Sequence, residues 1–301
     1  ATGQQQAKLY ADCLQQATGQ RPVIFYTNGY EHWLWDDTTY VPRPVQGFLT
    51  KDELQLLVQR RTARLPLAAV QLNRLIIERY YQERAIRAIA EHFEHDQQRK
   101  ALVVMATGAG KTRTVIALAD LLMRANWVKR VLFLADRTAL VNQAVNAFKA
   151  HLPASAPVNL VTEGDEDGRV YVSTYQTMVG KIDELRADGT RRFGAGFFDL
   201  VVIDEAHRSV YRKYRGIFDY FDSYLVGLTA TPKDEVDTNT YELFDLETGV
   251  PTDAYSLDEA VADGFLVPPR GVSVPLKFVR EGIRYDELSE DERDDWDEID
   301  W

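Results

Sequence analysis

The sequence predicts an α/β protein whose main domain is a doubly wound parallel sheet with helices on both faces. Two observations predict this fold. Apolar runs of strand length recur between residues 67 and 235, separated by helical segments, and polar motifs follow the ends of several runs. Uninterrupted apolar strands are typical of parallel sheets that are buried on both faces. The predicted strands lie near 101–105, 131–135, 158–162, 170–174, 199–203 and 225–229.

Length and composition set the broad class of the protein. A chain of 301 residues with 45% hydrophobic residues can form a sizeable core, and we expect two domains. The single cysteine, Cys13, excludes an intrachain disulfide framework and predicts a cytoplasmic protein. No stretch has the length of a transmembrane helix or the pattern of a signal peptide, so we expect no membrane partner.

The residues before the predicted sheet contain the sequence patterns of a hairpin, a connecting helix and a linker. Residues 21–36 have the pattern of a β-hairpin that turns at Asn28-Gly29. The sequence Thr50-Lys-Asp-Glu53 has the pattern of a capping box, which predicts the start of a connecting helix. A linker is predicted near residues 60–66.

The most informative motif follows the first strand of the sheet, at residues 106–112. Two glycines there let backbone N–H groups close around phosphates, a lysine supplies positive charge, and a threonine can bind Mg²⁺. The helix that opens at this point adds its N-terminal dipole. Met105 stands where the general pattern has glycine. The predicted nucleotide-binding residues are Thr107, Gly108, Ala109, Gly110, Lys111 and Thr112.

A second motif, Asp204-Glu-Ala-His207, follows the apolar run at 200–203. Adjacent residues at a strand end point to different sides, so the two carboxylates can have different tasks. Asp204, together with Thr112, could hold Mg²⁺, and Glu205 could orient or deprotonate an attacking water. The alternative interpretation is a helix N-cap. The phosphate-binding loop upstream favours the catalytic interpretation, in which Lys111 and Glu205 are the catalytic residues.

The third motif is Thr229-Ala-Thr231, at the end of another apolar run. The order of the three motifs resembles superfamily 2 helicases and translocases, in which Ala-x-Thr-Gly-x-Gly-Lys-Thr is the usual form of the loop. The resemblance implies a RecA-like domain. It also implies that four residues couple the nucleotide state to the grip on nucleic acid: His207, Thr229, Ala230 and Thr231.

The segment Tyr80-Tyr-Gln82 resembles the glutamine motif of this superfamily. The resemblance implies that the Gln82 amide binds adenine and that an aromatic neighbour, assigned to Tyr81, stacks on the base. The alternative interpretation is a helix start in which Tyr80 or Tyr81 belongs to the core.

Three further segments closely resemble the motor (R) subunit of type I restriction endonucleases. Arg137, at a helix start, is placed to meet a DNA phosphate. Thr174 and Gln176 are assigned to DNA binding on the same resemblance. The segments are Phe133-Leu-Ala-Asp-Arg137, Ser173-Thr-Tyr-Gln-Thr-Met178 and Asp204-Glu-Ala-His-Arg208.

The N-terminal segment resembles the end of that family's nuclease domain. Gln6 and Tyr10 lie one helical turn apart, as in the family's Gln-x-x-x-Tyr motif, although such pairs are also ordinary surface neighbours. We therefore expect residues 1–48 to be the C-terminal part of a restriction-endonuclease-like α/β domain. No Asp…Glu-x-Lys cluster precedes Gln6. We expect a fragment that lacks the nuclease metal site and does not cleave DNA by itself.

The predicted organisation has four parts. Residues 1–48 are the nuclease remnant, 49–66 a helical linker, 67–235 the first motor domain and 236–301 a linker with an acidic tail. Only 69 residues follow Pro232, too few for the second RecA-like domain that closes the ATP site in superfamily 2 motors. Within the last part, residues 241–269 resemble the bridge to that domain, with a helix near 257–262, a turn at Gly264 and then a strand. We expect the fragment alone to be inactive in translocation.

The net charge of −11 is unusual for a DNA-binding protein. Residues 281–301 alone carry −9, which leaves only −2 for the rest of the chain. This tail is interpreted as a solvated acidic loop, or as a segment that packs on the second motor domain or mimics DNA. A motor needs only a limited basic channel. Candidate contributors are Arg137, Arg208, Arg212, Lys213 and Arg215.

The resemblance implies an ATP-dependent subunit of a type I restriction–modification system that translocates double-stranded DNA. It implies ATP and Mg²⁺ as cofactors, and methyltransferase and specificity subunits as partners, which use S-adenosylmethionine. One alternative is a nuclease-free superfamily 2 DNA helicase or a type III restriction motor. A second is a nucleotide-gated DNA-binding protein that does not hydrolyse ATP.

Overall fold

The computed structural model describes residues 2–163, 167–187, 189–206 and 208–268. The first elements are helix α1 (Thr2–Thr18) and strands β1 (Ile24–Thr27), β2 (His32–Trp35) and β3 (Arg43–Val45). The strands form an antiparallel sheet in the order β1-β2-β3. Gly29 has φ +96° in the turn between β1 and β2, which confirms the predicted hairpin.

Helix α2 (Lys51–Ala63) follows the small sheet. Glu53 Oε2 accepts a hydrogen bond from Thr50 N at 2.8 Å, and Thr50 Oγ1 accepts one from Glu53 N at 3.4 Å. These two bonds satisfy free donors of the first turn and confirm the predicted capping box. The helix continues to Ala63, so the connection to the next element is shorter than the predicted linker at 60–66.

In the described part of the chain, the main sheet consists of β4 (Lys100–Met105), β5 (Val131–Ala135), β6 (Pro157–Asn159), β7 (Val170–Thr174), β8 (Leu200–Ile203), β9 (Tyr224–Thr229) and β10 (Asp253–Tyr255). The strand order is β10-β4-β9-β8-β5-β7-β6, and all of its pairs are parallel. The predicted doubly wound parallel sheet is therefore confirmed.

Two strands differ from the prediction. Strand β6 ends at Asn159 rather than near 162, because Asn159 O accepts from Thr162 N and Glu163 N and so closes a turn. Strand β10 was not predicted, and the sheet extends past the predicted boundary near residue 235. Three residues of β10 pair with residues 103–105 of β4 at the edge of the sheet. The part of the chain from residue 2 to Leu266 forms one compact unit.

Helices cover both faces of the main sheet. These helices are α3 (Tyr80–Glu94), α4 (Lys111–Arg124), α5 (Thr138–His151), α6 (Tyr175–Ile182), α7 (Arg208–Tyr220), α8 (Thr238–Leu243) and α9 (Leu257–Ala262). Alternate residues of β4 enter two separate cores: Val103 and Met105 pack with α3, α4 and α5, whereas Leu102 and Val104 pack with α6, α7 and α8.

The end of the described chain agrees with part of the prediction. Helix α9 occupies the predicted range, and Gly264 turns with φ +74°. Residues 265–268 form no strand, and the remainder of the predicted strand lies outside the described residues, as does the acidic tail at 281–301. Within the part of the chain that the structure describes, no helix is both long and apolar enough to span a bilayer.

Gly227, in the middle of β9, provides a test of core packing. A Cβ atom there would lie 2.3 Å from Phe244 Cζ and 3.0 Å from Leu102 Cδ1. We expect Gly227→Ala to lower the free energy of unfolding by about 1–3 kcal/mol, because the core must open to admit the methyl group. Gly216→Ala in α7 is the matched control, since no heavy atom lies within 4 Å of its Cβ position. Equal urea midpoints for the two variants would show that this core is loosely packed.

The small sheet and α2 are attached to the amino-terminal edge of the main sheet by buried ion pairs. Arg43 makes two hydrogen bonds to Asp222, at 2.6 and 2.7 Å, and Arg99 Nη2 lies 3.2 Å from the same carboxylate. Arg60 Nη1 lies 2.6 Å from Asp199 Oδ1. Burial opposes ionisation of Asp222, but the guanidinium groups of Arg43 and Arg99 outweigh it and lower its pKa to about 2.

Candidate nucleotide-binding site

The predicted motifs meet at the carboxyl edge of the main sheet. The phosphate-binding loop follows β4, the Asp204-Glu205 pair follows β8, and Ala230-Thr231 follows β9. Strand β9 lies between β4 and β8, so the three loops are neighbours. Ligands of open parallel sheets bind at this edge.

The loop after β4 has the geometry of an anion cradle. Gly108 and Gly110 adopt φ values of +82° and +92°, which favour glycine. A Cβ atom on Gly110 would lie 2.6 Å from Gln82 Nε2, and one on Gly108 would lie 3.3 Å from Leu266 Cδ2. The 14-residue helix α4 begins at Lys111 and directs its N-terminal N–H groups towards the loop. This arrangement fits the phosphate chain of a nucleotide.

The other predicted residues of the loop differ in burial and in position. Ala109 is fully buried, and its N–H donates to Ala106 O at 3.1 Å, which tightens the turn. Thr107 is exposed and Thr112 half-buried, in the first turn of α4. Thr107 thus lies on the loop and Thr112 beside it at the helix start, and their roles in binding a nucleotide and Mg²⁺ stay predictions.

Lys111 and Glu205 form the central contact of the site. Lys111 Nζ lies 3.0 Å from Glu205 Oε1, which joins the phosphate-binding loop to the carboxylate pair. Burial, reinforced by the neighbouring Glu205 and opposed by Lys111, raises the pKa of Asp204. A divalent cation at Asp204 would favour its ionised form. The donor set of Asp204 and Thr112, completed by phosphate oxygens, suits Mg²⁺.

Gln82 lies against the loop and is almost fully buried. Its Oε1 accepts from Glu78 N and Arg79 N at 3.3 Å each, and its Nε2 donates to Gly110 O at 3.5 Å. The amide therefore caps α3 and touches the glycine of the phosphate cradle. Both ends of the amide are thus engaged within the chain, and its contact with an adenine base stays a prediction.

The structure contradicts the predicted stacking role of Tyr81. Its ring is fully buried and is stacked on Tyr255 at 3.8 Å between centroids, so no face is available to a base. Its hydroxyl donates to Ala109 O at 2.8 Å and so supports the phosphate-binding loop from below. The core interpretation of this residue was the correct one, whereas the adjacent Tyr80 is exposed.

The Thr229–Thr231 segment lies between the loop and the carboxylates. Thr229 is fully buried and pairs with Val104 of β4. Its Oγ1 accepts from Thr231 N at 3.1 Å, and the adjacent Leu228 O accepts from Ala206 N at 2.7 Å. The segment, with Ala230 at its centre, therefore follows a strand that contacts both β4 and the residue after the carboxylate pair. His207, the fourth predicted coupling residue, lies outside the described residues.

The predicted DNA-binding residues lie on the same edge but after different strands. Arg137 follows β5 at the N-cap position of α5, makes no capping hydrogen bond with its side chain and is largely exposed. Thr174 ends β7, and its hydroxyl accepts from Thr177 N at 3.2 Å as the cap of α6. Gln176 is exposed in the first turn of that helix. These residues line the edge beside the nucleotide site rather than the site itself.

The remaining predicted residues are elsewhere or are not described. Gln6 Nε2 donates to Tyr10 Oη at 3.0 Å on the exposed side of α1, which packs on β1. Arg215 is paired with Asp219 at 3.1 Å, and Lys213 lies 5.3 Å from the Tyr214 ring centroid. The side chains of Arg208 and Arg212 lie outside the described part of the chain.

Two residues of the site were not predicted. Tyr175 donates from its hydroxyl to Asp204 O at 2.8 Å, and Tyr255 stacks on Tyr81 beneath the loop. Tyr175 lies within the 173–178 segment, so its place in that motif was an available signal. Tyr255 belongs to a three-residue edge strand, which has no pattern of its own.

The geometry agrees with comparisons to known proteins. The family described as type III restriction enzyme, res subunit, matches residues 75–234. The chain is similar to the endonuclease subunits of two type I restriction enzymes, EcoAI of Escherichia coli (38% identity over 211 residues) and EcoKI of Escherichia coli strain K12 (32% over 235). Each match covers 68% of this chain, but only 25% and 19% of those relatives. The chain therefore spans a quarter or less of their length.

A solved structure is also similar. It is a fragment described as an HsdR subunit of a type I restriction enzyme from Vibrio vulnificus YJ016, with a TM-score of 0.51 and 29% identity. The match covers 88% of this chain and 46% of that structure.

Proposed function

Because this chain belongs to the family described as type III restriction enzyme, res subunit, we propose that it forms the ATP-binding domain of a DNA-translocating restriction subunit. The type I restriction system is the preferred assignment, since the curated relatives that match 68% of the chain are type I endonuclease subunits. The observation that carries the proposal is the 3.0 Å contact between Lys111 Nζ and Glu205 Oε1 at the carboxyl edge of a parallel sheet.

The proposed roles follow from the positions of the side chains. Lys111 binds phosphate oxygens, and Thr112 and Asp204 hold Mg²⁺. Mg²⁺–ATP, when bound, would supply the phosphoryl group, and Lys111 Nζ would then contact phosphate oxygens in place of Glu205 Oε1. Glu205 Oε1 is then free to accept a proton from the attacking water. Gln82 binds the adenine base, and Thr229, Ala230, Thr231 and His207 couple hydrolysis to movement on DNA.

The wider assembly is part of the same proposal. Double-stranded DNA runs along the edge that carries Arg137, Thr174 and Gln176, and a second RecA-like domain completes the ATP site. Residues 1–48, with Gln6 and Tyr10, belong to the nuclease domain, 49–66 link it to the motor, and the motor domain extends beyond 235 to include β10. Methyltransferase and specificity subunits, which bind S-adenosylmethionine, complete this cytoplasmic complex.

The proposal is tested by ATP hydrolysis in the complete subunit. We expect duplex DNA to stimulate hydrolysis, and Lys111→Ala to lower the stimulated kcat by about 10²–10³-fold, because a preorganised charge at the phosphates is lost. Lys149→Ala is the matched control, since Lys149 is exposed in the last turn of α5, at the opposite edge of the sheet. Nucleotide binding without any hydrolysis would instead support a nucleotide-gated DNA-binding protein.

A further inference from the structure

Tyr175 joins two parts of the carboxyl edge that are separated in the sheet. It directly follows β7, whereas the carbonyl that its hydroxyl contacts belongs to Asp204, after β8. Strand β5 lies between these two strands. The Tyr175 ring is buried and stacks on Tyr214 of α7 at 5.1 Å between centroids. The side chain therefore has a fixed place beneath the edge.

The carbonyl that Tyr175 holds belongs to the peptide that leads into Glu205. Glu205 has φ +53°, a left-handed conformation that is unfavourable for a residue with a side chain. Such a conformation is retained only where several contacts with the surrounding structure hold the backbone in place. Here Asp204 N donates to Leu134 O at 2.9 Å, and Ala206 N donates to Leu228 O at 2.7 Å. The peptide between these two bonds is held at both of its polar groups: its carbonyl accepts from the Tyr175 hydroxyl at 2.8 Å, and its N–H donates to Asp204 Oδ1 at 3.2 Å.

Tyr175 is also tied to the start of α6. Its two chain neighbours are Thr174, which caps α6, and Gln176, which is exposed on the first turn of that helix.

We propose that Tyr175 is a positioning residue that holds the strained Glu205 backbone and transmits DNA contact at Gln176 to the Glu205 carboxylate. This inference rests on the proposed function. A phosphate that contacts Gln176 would shift the first turn of α6, and the buried hydroxyl would carry that shift to the Asp204–Glu205 peptide. The DNA-contacting segment and the hydrolytic carboxylate are thus one hydrogen bond apart.

The test is Tyr175→Phe in the complete subunit, which removes the hydroxyl and keeps the ring. We expect the DNA-stimulated kcat to fall by about 3–10-fold, the value of one hydrogen bond. The KM for ATP should be retained, the thermal midpoint should fall by no more than the loss of a single hydrogen bond produces, and hydrolysis without DNA should fall less than the stimulated rate. Tyr214→Phe is the matched control, because it removes a hydroxyl from the other ring of the same stack.

A double-mutant cycle with Gln176→Ala tests the transmission. Coupled residues are expected to be non-additive, so the double variant should lose less stimulation than the product of the two single losses. Three results would overturn the inference. The first is a Tyr175→Phe variant whose DNA-stimulated kcat equals that of the wild type, and the second is an equal fall in its hydrolysis rates with and without DNA. The third is a double variant whose loss of stimulation equals the product of the two single losses. A wild-type subunit that DNA does not stimulate would overturn the proposed function, and this inference with it.

Discussion

Replacing Glu205 by glutamine is expected to lower DNA-stimulated ATP hydrolysis by the complete subunit by about 10²–10⁴-fold. The amide has nearly the shape of the carboxylate but cannot accept a proton from water. Nucleotide binding should be retained or become tighter, because Lys111 loses the partner that lies 3.0 Å away and becomes free for phosphates. Steady-state kcat and the Kd of a fluorescent ATP analogue measure the two effects separately.

The matched control for this substitution is Glu242→Gln. Glu242 is exposed on α8, outside the candidate site, so its substitution should change neither the kcat nor the Kd of the ATP analogue. A Glu205→Gln variant that keeps its kcat would remove Glu205 from the catalytic role. Loss of ATP affinity with an unchanged kcat would instead mean that the carboxylate only organises the loop.

The second large effect is expected for Asp222→Ala at the opposite edge of the main sheet. The substitution leaves the guanidinium groups of Arg43 and Arg99 without their shared carboxylate in a largely buried site. Removal of one partner of a buried ion pair costs about 3–5 kcal/mol. Burial and the neighbouring Arg43 already lower the pKa of Arg99, so the two cations would destabilise each other further. Urea unfolding should show a lower midpoint.

Asp219→Ala is the control for this prediction. Asp219 pairs with Arg215 on the exposed side of α7, and such pairs contribute about 0.5 kcal/mol or less. Equal unfolding midpoints for Asp222→Ala and Asp219→Ala would show that the buried cluster does not stabilise the attachment of the small sheet.

The Asp222 carboxylate should also make the free energy of unfolding depend on pH. The pKa of Asp222 is about 2 in the folded chain, below the ordinary value of about 3.9 in an unfolded chain. Its contribution to stability is therefore complete above the unfolded pKa and is lost as the pH falls from about 4 towards 2. The wild type should lose more stability than Asp222→Ala over this range, and parallel curves would contradict the assignment.

Local chemistry explains which features could be predicted from the sequence. The buried strands are uniform apolar runs, and the phosphate-binding loop needs glycines with positive φ beside a lysine, so both are visible without a structure. The Thr50–Glu53 capping box is similarly local. Each of these features depends on residues that are a few positions apart in the chain.

The missed features depend on contacts between distant residues. Strand β10 exists because Asp253–Tyr255 pair with a strand that lies 150 residues earlier. The stacking of Tyr255 on Tyr81 decides which of two adjacent tyrosines is buried. Likewise, the bond from Tyr175 to the Asp204 carbonyl and the pair of Arg43 with Asp222 join elements that no local pattern relates.

The most direct test of the central claim is displacement of a third strand from a DNA triplex by the complete subunit with its partner subunits. A motor that moves along duplex DNA removes the third strand as it passes. We predict that displacement requires ATP and is lost in Glu205→Gln, although that variant still binds ATP and DNA. Displacement by Glu205→Gln at the wild-type rate, or no ATP-dependent displacement by the wild type, would contradict the account.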